Sequence, residues 1–243
     1  TVDYRLCCLA FGDEMATILI TGTNRGIGLE FVEQFLAQGD NVIASCRHPA
    51  DNGALQTLAM NNSSLKLVEL DVSSQASMEA LPDRLAGAQI DVFVNNAGIY
   101  GPRVGFGELE AESWAEVFHV NSAAPIILTQ LLMENFAKGG DKKLVYLTSK
   151  MGSIGDNQGG GSYIYRSSKA ALNAAVKSLA IDLSDKGFSV ALLHPGWVRT
   201  DMGGPNGLID TKTSVTGLME VIAGLKPASS GCFLNYDGNV IPW

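Results

Sequence analysis

A chain of 243 residues, 46% apolar and 17% charged, is long enough to bury a large core without disulfide or metal staples, and its composition is that of an ordinary globular protein. A formal net charge of −8 argues against nucleic acid and anionic membranes as main partners, so an anionic ligand has to be held by local basic groups or helix N-termini. The four cysteines form no C-x-x-C pair and no Cys/His cluster, which argues against metal and fits a reducing cytoplasm, and no apolar run approaches the roughly 18 residues of a membrane span.

Residues 1–14 differ in character from the rest of the chain. Their apolar part, Leu6 to Phe11, is too short for a signal peptide and lacks a basic n-region, and Met15-Ala-Thr17 reads as a natural start. We expect an appended or upstream extension with no role in the fold; a native arm is the alternative. Thr17 to Thr21 is a short apolar run, read as a buried strand. It enters Gly22-Thr-Asn-Arg-Gly-Ile-Gly28, after which Ile27, Phe31, Val32, Phe35 and Leu36 mark one face of a helix stopped by Gly39. Strand, glycine turn and helix together make a nucleotide site: glycines let backbone approach phosphate, and the helix start offers unpaired N–H groups.

The second strand, Asn41 to Cys46, closes a βαβ unit. An NAD site would want Asp or Glu at its end; Arg47 stands there instead, and with Arg25 could pair with a 2′-phosphate. That favours NADP(H), with NAD(H) open, unless both arginines are simply solvated. Leu65 to Leu70 alternates as a third strand and ends at Asp71-Val72. A helix from Ser73 with Met78, Leu81 and Leu85 inward is interrupted, or its break moved, by Pro82. Asp91 to Asn95 is the fourth strand. The small and amide residues Asn96-Ala-Gly98 after it suit either a crevice where ligand meets backbone or an ordinary turn.

A long helical region runs from Glu112 to about Phe136, with Asn121 and Pro125 marking a kink or bulge that frees backbone groups. Lys143 to Thr148 is strand five, with Ser149 at its end, followed by a glycine-rich loop from Gly155 to Gly161. The next helix, Ser162 to Leu183, carries Tyr165 and Lys169 four residues apart, hence on one face. A unit charge about 4 Å from the phenol is worth up to ~4 kcal/mol, about three pKa units, which would bring the phenol toward neutrality. The pair alone arises often by chance. Ser189 to His194 is strand six; Pro195 to Gly204 is a stiff turn and a flexible loop; Thr213 to Leu225 is a helix; Gly231 to Asn235 is a last strand. This β-α alternation without a break predicts an α/β fold over residues 15–243: a single-domain, Rossmann-type doubly wound parallel sheet of about seven strands, with helices on both faces. His48, His119 and His194 form no triad or metal set, and His194 reads as structural.

The ordered set Thr21-Gly-Thr-Asn-Arg-Gly-Ile-Gly28, Asp71-Val72, Asn95-Asn-Ala-Gly98, Asn121, Ser149-Lys-Met-Gly152, Tyr165 to Lys169 and Pro195-Gly196 resembles the short-chain dehydrogenase/reductase family. Within it, His194-Pro-Gly-Trp-Val-Arg-Thr-Asp-Met-Gly-Gly204 and Asn235-Tyr-Asp-Gly238 are most like the sniffer and C-factor type carbonyl reductases. The resemblance implies that Tyr165 is the general acid, that Lys169 lowers its pKa and holds the nicotinamide ribose, that Ser149 binds the substrate oxygen, and that Asn121 anchors a water behind Lys169. It implies a cofactor held by the glycine loop, with Gly22, Gly26 and Gly28 facing the pyrophosphate and Asn24, Arg25 and Ile27 between them, by Asp71 and Val72 at adenine, and by Asn95, Ala97 and Gly98 at the adenosine ribose. Pro195, Gly196 and Val198 would lie at the nicotinamide, with Thr200 near its amide or the phosphates. The interval from Ser149 to Tyr165 is longer than the family's usual one, the excess falling at Gly159-Gly-Gly161. Tyr163 and Thr148 compete for the catalytic roles, but residue 167 is not lysine, and only Ser149 keeps the S-x-x-G spacing to Gly152.

The reading is a cytoplasmic NADPH-dependent reductase of a ketone, aldehyde or quinone. The alternatives are a non-catalytic or weakly catalytic nucleotide-binding signalling protein of the C-factor kind and, more remotely, a structural Rossmann domain. Relatives pair through the helices around Asn121 and Tyr165, so a homodimer or homotetramer is expected, with Ala170, Ala171, Ala174, Ala175 and Ser178 allowing close approach; these could instead pack on the chain's own sheet. The short segment from Gly203 to Ser214 suggests an open, permissive substrate pocket.

Overall fold

The computed structural model describes residues 15–243; the expectation for residues 1–14 lies outside the described residues. Seven parallel strands form one sheet in the order β3-β2-β1-β4-β5-β6-β7. They are β1 (Thr17–Thr21), β2 (Asn41–Cys46), β3 (Leu65–Glu69), β4 (Val92–Asn95), β5 (Lys143–Leu147), β6 (Ser189–His194) and β7 (Cys232–Asn235). Strand order reverses at β1, which pairs with both β2 and β4. In such sheets, ligands bind in the crevice beyond the strands' C-terminal ends at that reversal.

The apolar runs are continuous because alternate residues feed two cores. Ile18, Ile20, Val92, Val94, Val145 and Leu147 face one side, where α1 (Gly26–Gln38) supplies Phe31, Val32 and Phe35, and α9 (Thr211–Gly224) supplies Val215, Leu218 and Ile222. Leu19, Phe93, Leu144, Tyr146 and Leu192 face the other, against Leu128 and Phe136 of the central helices and Leu172 and Val176 of α8 (Tyr163–Asp182). Gly39 ends α1 in the left-handed conformation at φ 93°, as its position after the last apolar residue predicts.

Three elements differ from expectation. Helix α2 (Gly53–Asn61) has no counterpart in the sequence pattern: it buries only Leu55, and the carbonyl of the Asn52 side chain caps it by accepting from Leu55 N. The helix beyond Ser73 divides into α3 (Gln75–Glu79) and α4 (Leu81–Leu85), and Pro82 lies in the first turn of the second piece, where its missing N–H costs nothing. Helix α9 begins two residues early because Asp210 caps it, accepting from Thr213 N at 2.8 Å.

The long central helix is interrupted as predicted. α5 (Ala111–Phe118) and α6 (Ala124–Leu131), the latter followed by α7 (Met133–Ala137), flank a π-helical turn at His119–Ala123. Pro125 lies four residues after Asn121 and has no N–H to give that carbonyl, and its ring crowds the same position, so the helix widens there.

Candidate active site

At the sheet reversal a cleft of about 580 Å³ runs from Arg47 and Asp71 at one end to Tyr165 and Lys169 at the other. Its floor is the glycine turn. Thr21 Oγ1 accepts from the backbone N–H groups of Asn96 (3.1 Å) and Ala97 (3.0 Å), while Asn96 Nδ2 donates to the carbonyls of Thr21 (2.8 Å) and Gly22 (2.9 Å). These bonds lock the end of β1 to the end of β4. A Cβ on Gly28 would lie 2.2 Å from the Gly22 carbonyl oxygen, and one on Gly22 would lie 2.9 Å from Ala97 Cα. Helix α1 therefore starts in backbone contact with the turn. Arg25 at its N-cap makes no side-chain capping bond, and no acidic residue occupies its first turn, so its leading N–H groups and dipole face the cleft. An elongated cleft with a glycine floor, an uncapped helix start and a cation at its far end fits a dinucleotide phosphate.

At the far end, Asp71 is held below the ordinary carboxylate range: burial raises it, but hydrogen bonds from Ser73 and the charges of Arg47 and His48 outweigh that. Arg25 points across the cleft and pairs with Asp201 at 3.1 Å, both side chains well exposed. Such a pair contributes little and yields readily to a stronger anion. Asn24, Gly26, Ile27, Val72, Ala97, Gly98, Pro195 and Thr200 also line the cleft. Asn95, Gly196 and Val198 do not. Asn95 ends β4 as a buried residue, and Asn96 takes the position facing the turn. Gly196 backs onto Ile209 and Tyr236, and Val198 is buried.

The near end is a hydrogen-bonded scaffold around α8. Asn121 receives Ile99 N on Oδ1 (2.9 Å) and donates from Nδ2 to Ile99 O (2.8 Å) and Ser168 Oγ (3.0 Å). Ser168 Oγ donates to Tyr165 O (2.9 Å), and Ser122 Oγ to Ser168 O (2.8 Å). A Cβ on Gly152 would be 2.9 Å from the Lys169 backbone, which is why glycine follows Ser149 at that spacing: α8 rests on it. The Ser149 hydroxyl lies near enough to the Tyr165 phenol to oppose the rise that burial imposes on it, and accepts from Met151 N at 3.1 Å, while Lys169 Nζ donates to Leu147 O at 2.9 Å. The competing groups are spent elsewhere: Thr148 Oγ1 donates to Asn173 Oδ1 (2.6 Å), and Tyr163 is exposed and packs against Phe106.

The expected lowering of the phenol is not found. Burial pushes Tyr165 up to about 12, although the neighbouring Ser149 hydroxyl pulls the other way, and burial pushes Lys169 down to about 8. The ammonium is itself desolvated and sits 5.9 Å from the phenol ring centroid, on the Leu147 carbonyl. Spacing on a helix puts the two groups on one face; their burial decides the direction of the shift.

Tyr100, unmarked by any motif, stacks on Tyr165 with centroids 4.4 Å apart and planes 18° from parallel, a geometry worth about 0.5–1.5 kcal/mol beyond the area it buries. A position two residues past Gly98 was the one signal that could have drawn attention to it.

A second cavity, about 420 Å³, lies between Lys150, Asp156, His194, Trp197, Leu208 and the segment 239–242. His194 Nδ1 is buried there without a protein partner. Burial, then the Lys150 charge, pushes this imidazole down to about 4, while Asp156 and Asp237 pull the other way. Its folded value lies below the unfolded 6.5, so the unfolded chain takes up the proton first. Stability from this group is whole above about 6.5 and lost as pH falls toward 4, by up to about 3 kcal/mol at 1.36 kcal/mol per unit. His194→Gln should remove that acid slope; urea unfolding at pH 7 and pH 4.5 measures it, and an unchanged slope would show that His194 titrates normally.

Among the described residues no group of His, Cys, Asp or Glu is arranged to hold a metal ion, and no helix is long and apolar enough to cross a membrane. Residues 16–208 match the family model described as short chain dehydrogenase. The C-signal protein of Myxococcus xanthus is 41% identical over 166 residues, covering 68% of this chain and all of that protein. The carbonyl reductase Sniffer of D. melanogaster superposes with a TM-score of 0.90 at 32% identity, covering 95% of this chain and all of that one. The NADPH-bound carbonyl reductase from chicken fatty liver superposes with a TM-score of 0.87 at 33% identity, covering 94% of this chain and 99% of that one.

Proposed function

The chain belongs to the short-chain dehydrogenase family and is an oxidoreductase, and on that premise we propose that it reduces ketone, aldehyde or quinone carbonyls with NADPH. The observation that carries this is the placing of Tyr165 and Lys169, both buried, at one end of a cleft whose other end is a glycine turn and Arg47, with the Ser149 hydroxyl acting on the phenol from beside it.

NADPH, when bound, supplies the hydride. Gly22, Gly26, Gly28 and the start of α1 would hold its pyrophosphate, Asp71 and Val72 its adenine, Ala97 and Gly98 its adenosine ribose, and Arg47 its 2′-phosphate. Lys169 would hold the nicotinamide ribose. Ser149 and Tyr165 would bind the substrate oxygen together. Tyr165 gives its proton to that oxygen as negative charge develops, and Ser149 steadies the charge. A phenol held near 12 keeps its proton at every ordinary pH, so the acid needed for reduction is always in hand while the base needed for alcohol oxidation is scarce. Lys169, near 8, can exchange a proton with solvent close to neutrality and restore Tyr165, with Asn121 bracing the wall of that route.

The carbonyl reductase likeness supports a small-molecule substrate. A cytoplasmic location, one domain over residues 15–243 with an integral substrate loop, and a homodimer or homotetramer belong to the same proposal. Leu172, Val176 and Ala180 take the inward face of α8, leaving Ala174 and Ser178 exposed for a partner helix. The loop from Trp197 to Ile209 closes on itself, with Arg199 N donating to Ile209 O and Trp197 Nε1 to Gly203 O; this short cover suits an open pocket.

Fluorescence titration with NADPH and NADH tests the cofactor reading. Arg47→Ala should weaken NADPH by about 10–100-fold, the cost of one charge-assisted contact of about 1.5–3 kcal/mol, and leave NADH nearly unchanged. Equal affinity for both in the wild type would end the NADP assignment, and binding of neither would end the reductase reading. The Myxococcus C-signal likeness favours a second reading, nucleotide-dependent signalling without turnover, which would show as tight NADPH binding and no consumption on any carbonyl.

A further inference from the structure

The Tyr165 ring lies under a stack that no motif marks. Tyr100 covers one of its faces at 4.4 Å, and the Arg103 guanidinium carbon lies 4.2 Å from the Tyr100 ring centroid. Arg103 Nη2 donates to Met202 O at 2.7 Å. Met202 and its neighbour Asp201 belong to the loop after β6 and line the cofactor cleft. A continuous line of contact therefore runs from the proton-donating phenol, through one ring and one guanidinium, to the loop that covers the cleft.

Each member of the line is held by something else. The root of the Tyr100 loop is clamped by Asn121 through both the N–H and the carbonyl of Ile99. Gly101 turns the chain at φ 75°, so close to α5 that a Cβ there would lie 2.6 Å from Val117 Cγ2. The Tyr100 hydroxyl shares a hydrogen bond of 2.9 Å with Ser162 Oγ, and Ser162 is the N-cap of α8, held at φ 47°, a backbone region serine seldom adopts. Tyr100 is thus fixed by α8 at its hydroxyl, by α5 and the π turn at its backbone, and by Arg103 at its ring.

We propose that Tyr100 is a positioning residue that holds the Tyr165 ring against rotation away from Ser149, and that Arg103 makes this hold depend on the Met202 loop. The proposal rests on the reductase reading of Tyr165. The physics is simple. The Tyr165 hydroxyl has to meet one substrate oxygen in line with Ser149, and its ring swings about a bond some distance from that hydroxyl. A flat neighbour in van der Waals contact with the ring face restricts that swing more than any contact at the edge. The Met202 carbonyl holds the Arg103 guanidinium where it lies on Tyr100, so the loop that lines the cleft and the ring that backs the acid are parts of one contact line.

The experiment compares wild type, Tyr100→Leu, Tyr100→Phe and Arg103→Met. It measures kcat and KM for carbonyl reduction, NADPH affinity by fluorescence, melting temperature, and ionisation of Tyr165 from the tyrosinate absorbance of each protein minus that of its Tyr165→Phe counterpart. Tyr100→Leu should lower kcat by about tenfold or more, the scale on which a misplaced reacting group is felt, with NADPH affinity unchanged. It should also let Tyr165 ionise at lower pH, because water reaches a phenol whose burial holds its proton. Tyr100→Phe keeps the flat ring and should recover most of the rate. Arg103→Met should fall between them. Wild-type kcat and wild-type ionisation in Tyr100→Leu would overturn the proposal, as would a parallel loss of kcat, NADPH affinity and thermal stability, which marks mere packing. Should the wild type reduce no carbonyl at all, the reductase reading fails by itself. The ionisation of Tyr165 then decides alone: a downward shift in Tyr100→Leu upholds the hold on Tyr165, and no shift overturns it.

Discussion

Tyr165→Phe should lower kcat for carbonyl reduction by about 10²–10⁴, the usual contribution of a positioned general acid, and leave NADPH affinity and the fold intact. The change removes one buried hydroxyl and its interaction with the neighbouring Ser149. The ring keeps its place under Tyr100, and a phenyl ring carries no polar group to desolvate, so stability should move by no more than about 1 kcal/mol. Tyr163→Phe is the control. That side chain is 40% exposed, and its loss of a hydroxyl should not be felt. The pH dependence carries the same argument with a sign. Because burial raises Tyr165 to about 12, the proton donor is full at pH 6–9 by the measure of ordinary titration and reduction should show no loss there from phenol ionisation. Alcohol oxidation needs the phenolate and should rise with pH across that window by up to about tenfold per unit. Steady-state rates in both directions test this. A Tyr165→Phe enzyme that retains a tenth of its activity, or an oxidation rate flat in pH, would move the proton chemistry to another group.

How much the sequence reveals depends on how local each cause is. The inner strands were legible because both faces of the sheet are covered there, so every second residue had to be apolar on each side and the runs became continuous, whereas the edge strand β3 was legible by its alternation. The π turn was legible because Asn121 and Pro125 act through the backbone they share. Helix α2 was hidden because a single buried leucine, Leu55, leaves no periodicity to read; an asparagine cap and tertiary contact make the helix. Asn96 rather than Asn95 meets the glycine turn, its amide bonded to the carbonyls of Thr21 and Gly22, as the opposite facing of successive strand residues allows. The direction of the Tyr165 shift was out of reach for a different reason. Spacing tells which groups share a face but not how far both are withdrawn from water, and that burial decides the sign. Tyr100 needed the path of a loop, which no pattern in its residues announces.

The cofactor end of the cleft depends on the same kind of close approach, where one methyl group is decisive. The side chain of Asn96 is spent on the carbonyls of Thr21 and Gly22, the Thr21 hydroxyl is spent on Asn96 and Ala97, and the N–H of Gly22 reaches Ser45 O at 2.8 Å. With its polar groups occupied by the protein itself, this turn can offer a ligand shape and the start of α1, but few side chains. Its geometry therefore has little slack.

Gly28→Ala should consequently abolish NADPH binding at concentrations that saturate the wild type and lower the melting temperature by several degrees. The added Cβ would fall 2.2 Å from the Gly22 carbonyl oxygen and 2.6 Å from Asn96 Nδ2. Neither can retreat cheaply: the carbonyl accepts from Asn96, and the amide also holds Thr21. The strain has to be relieved by moving the start of α1 away from the turn, and that start carries the N–H groups that would face the pyrophosphate. Overpacking of this kind costs about 1–3 kcal/mol or more, which at about 2–4 °C per kcal/mol in a chain of this size is a fall of roughly 2–12 °C. Gly26→Ala separates the two costs. Gly26 has φ 57°, which an alanine adopts only at a penalty of about 1–2 kcal/mol, but its Cβ would meet nothing nearer than Thr200 Cγ2 at 3.4 Å. It should lose stability with a smaller loss of NADPH affinity. Calorimetry on the two variants with and without NADPH distinguishes them. A Gly28→Ala protein that binds NADPH as the wild type does would mean that the helix start is not where the phosphates lie.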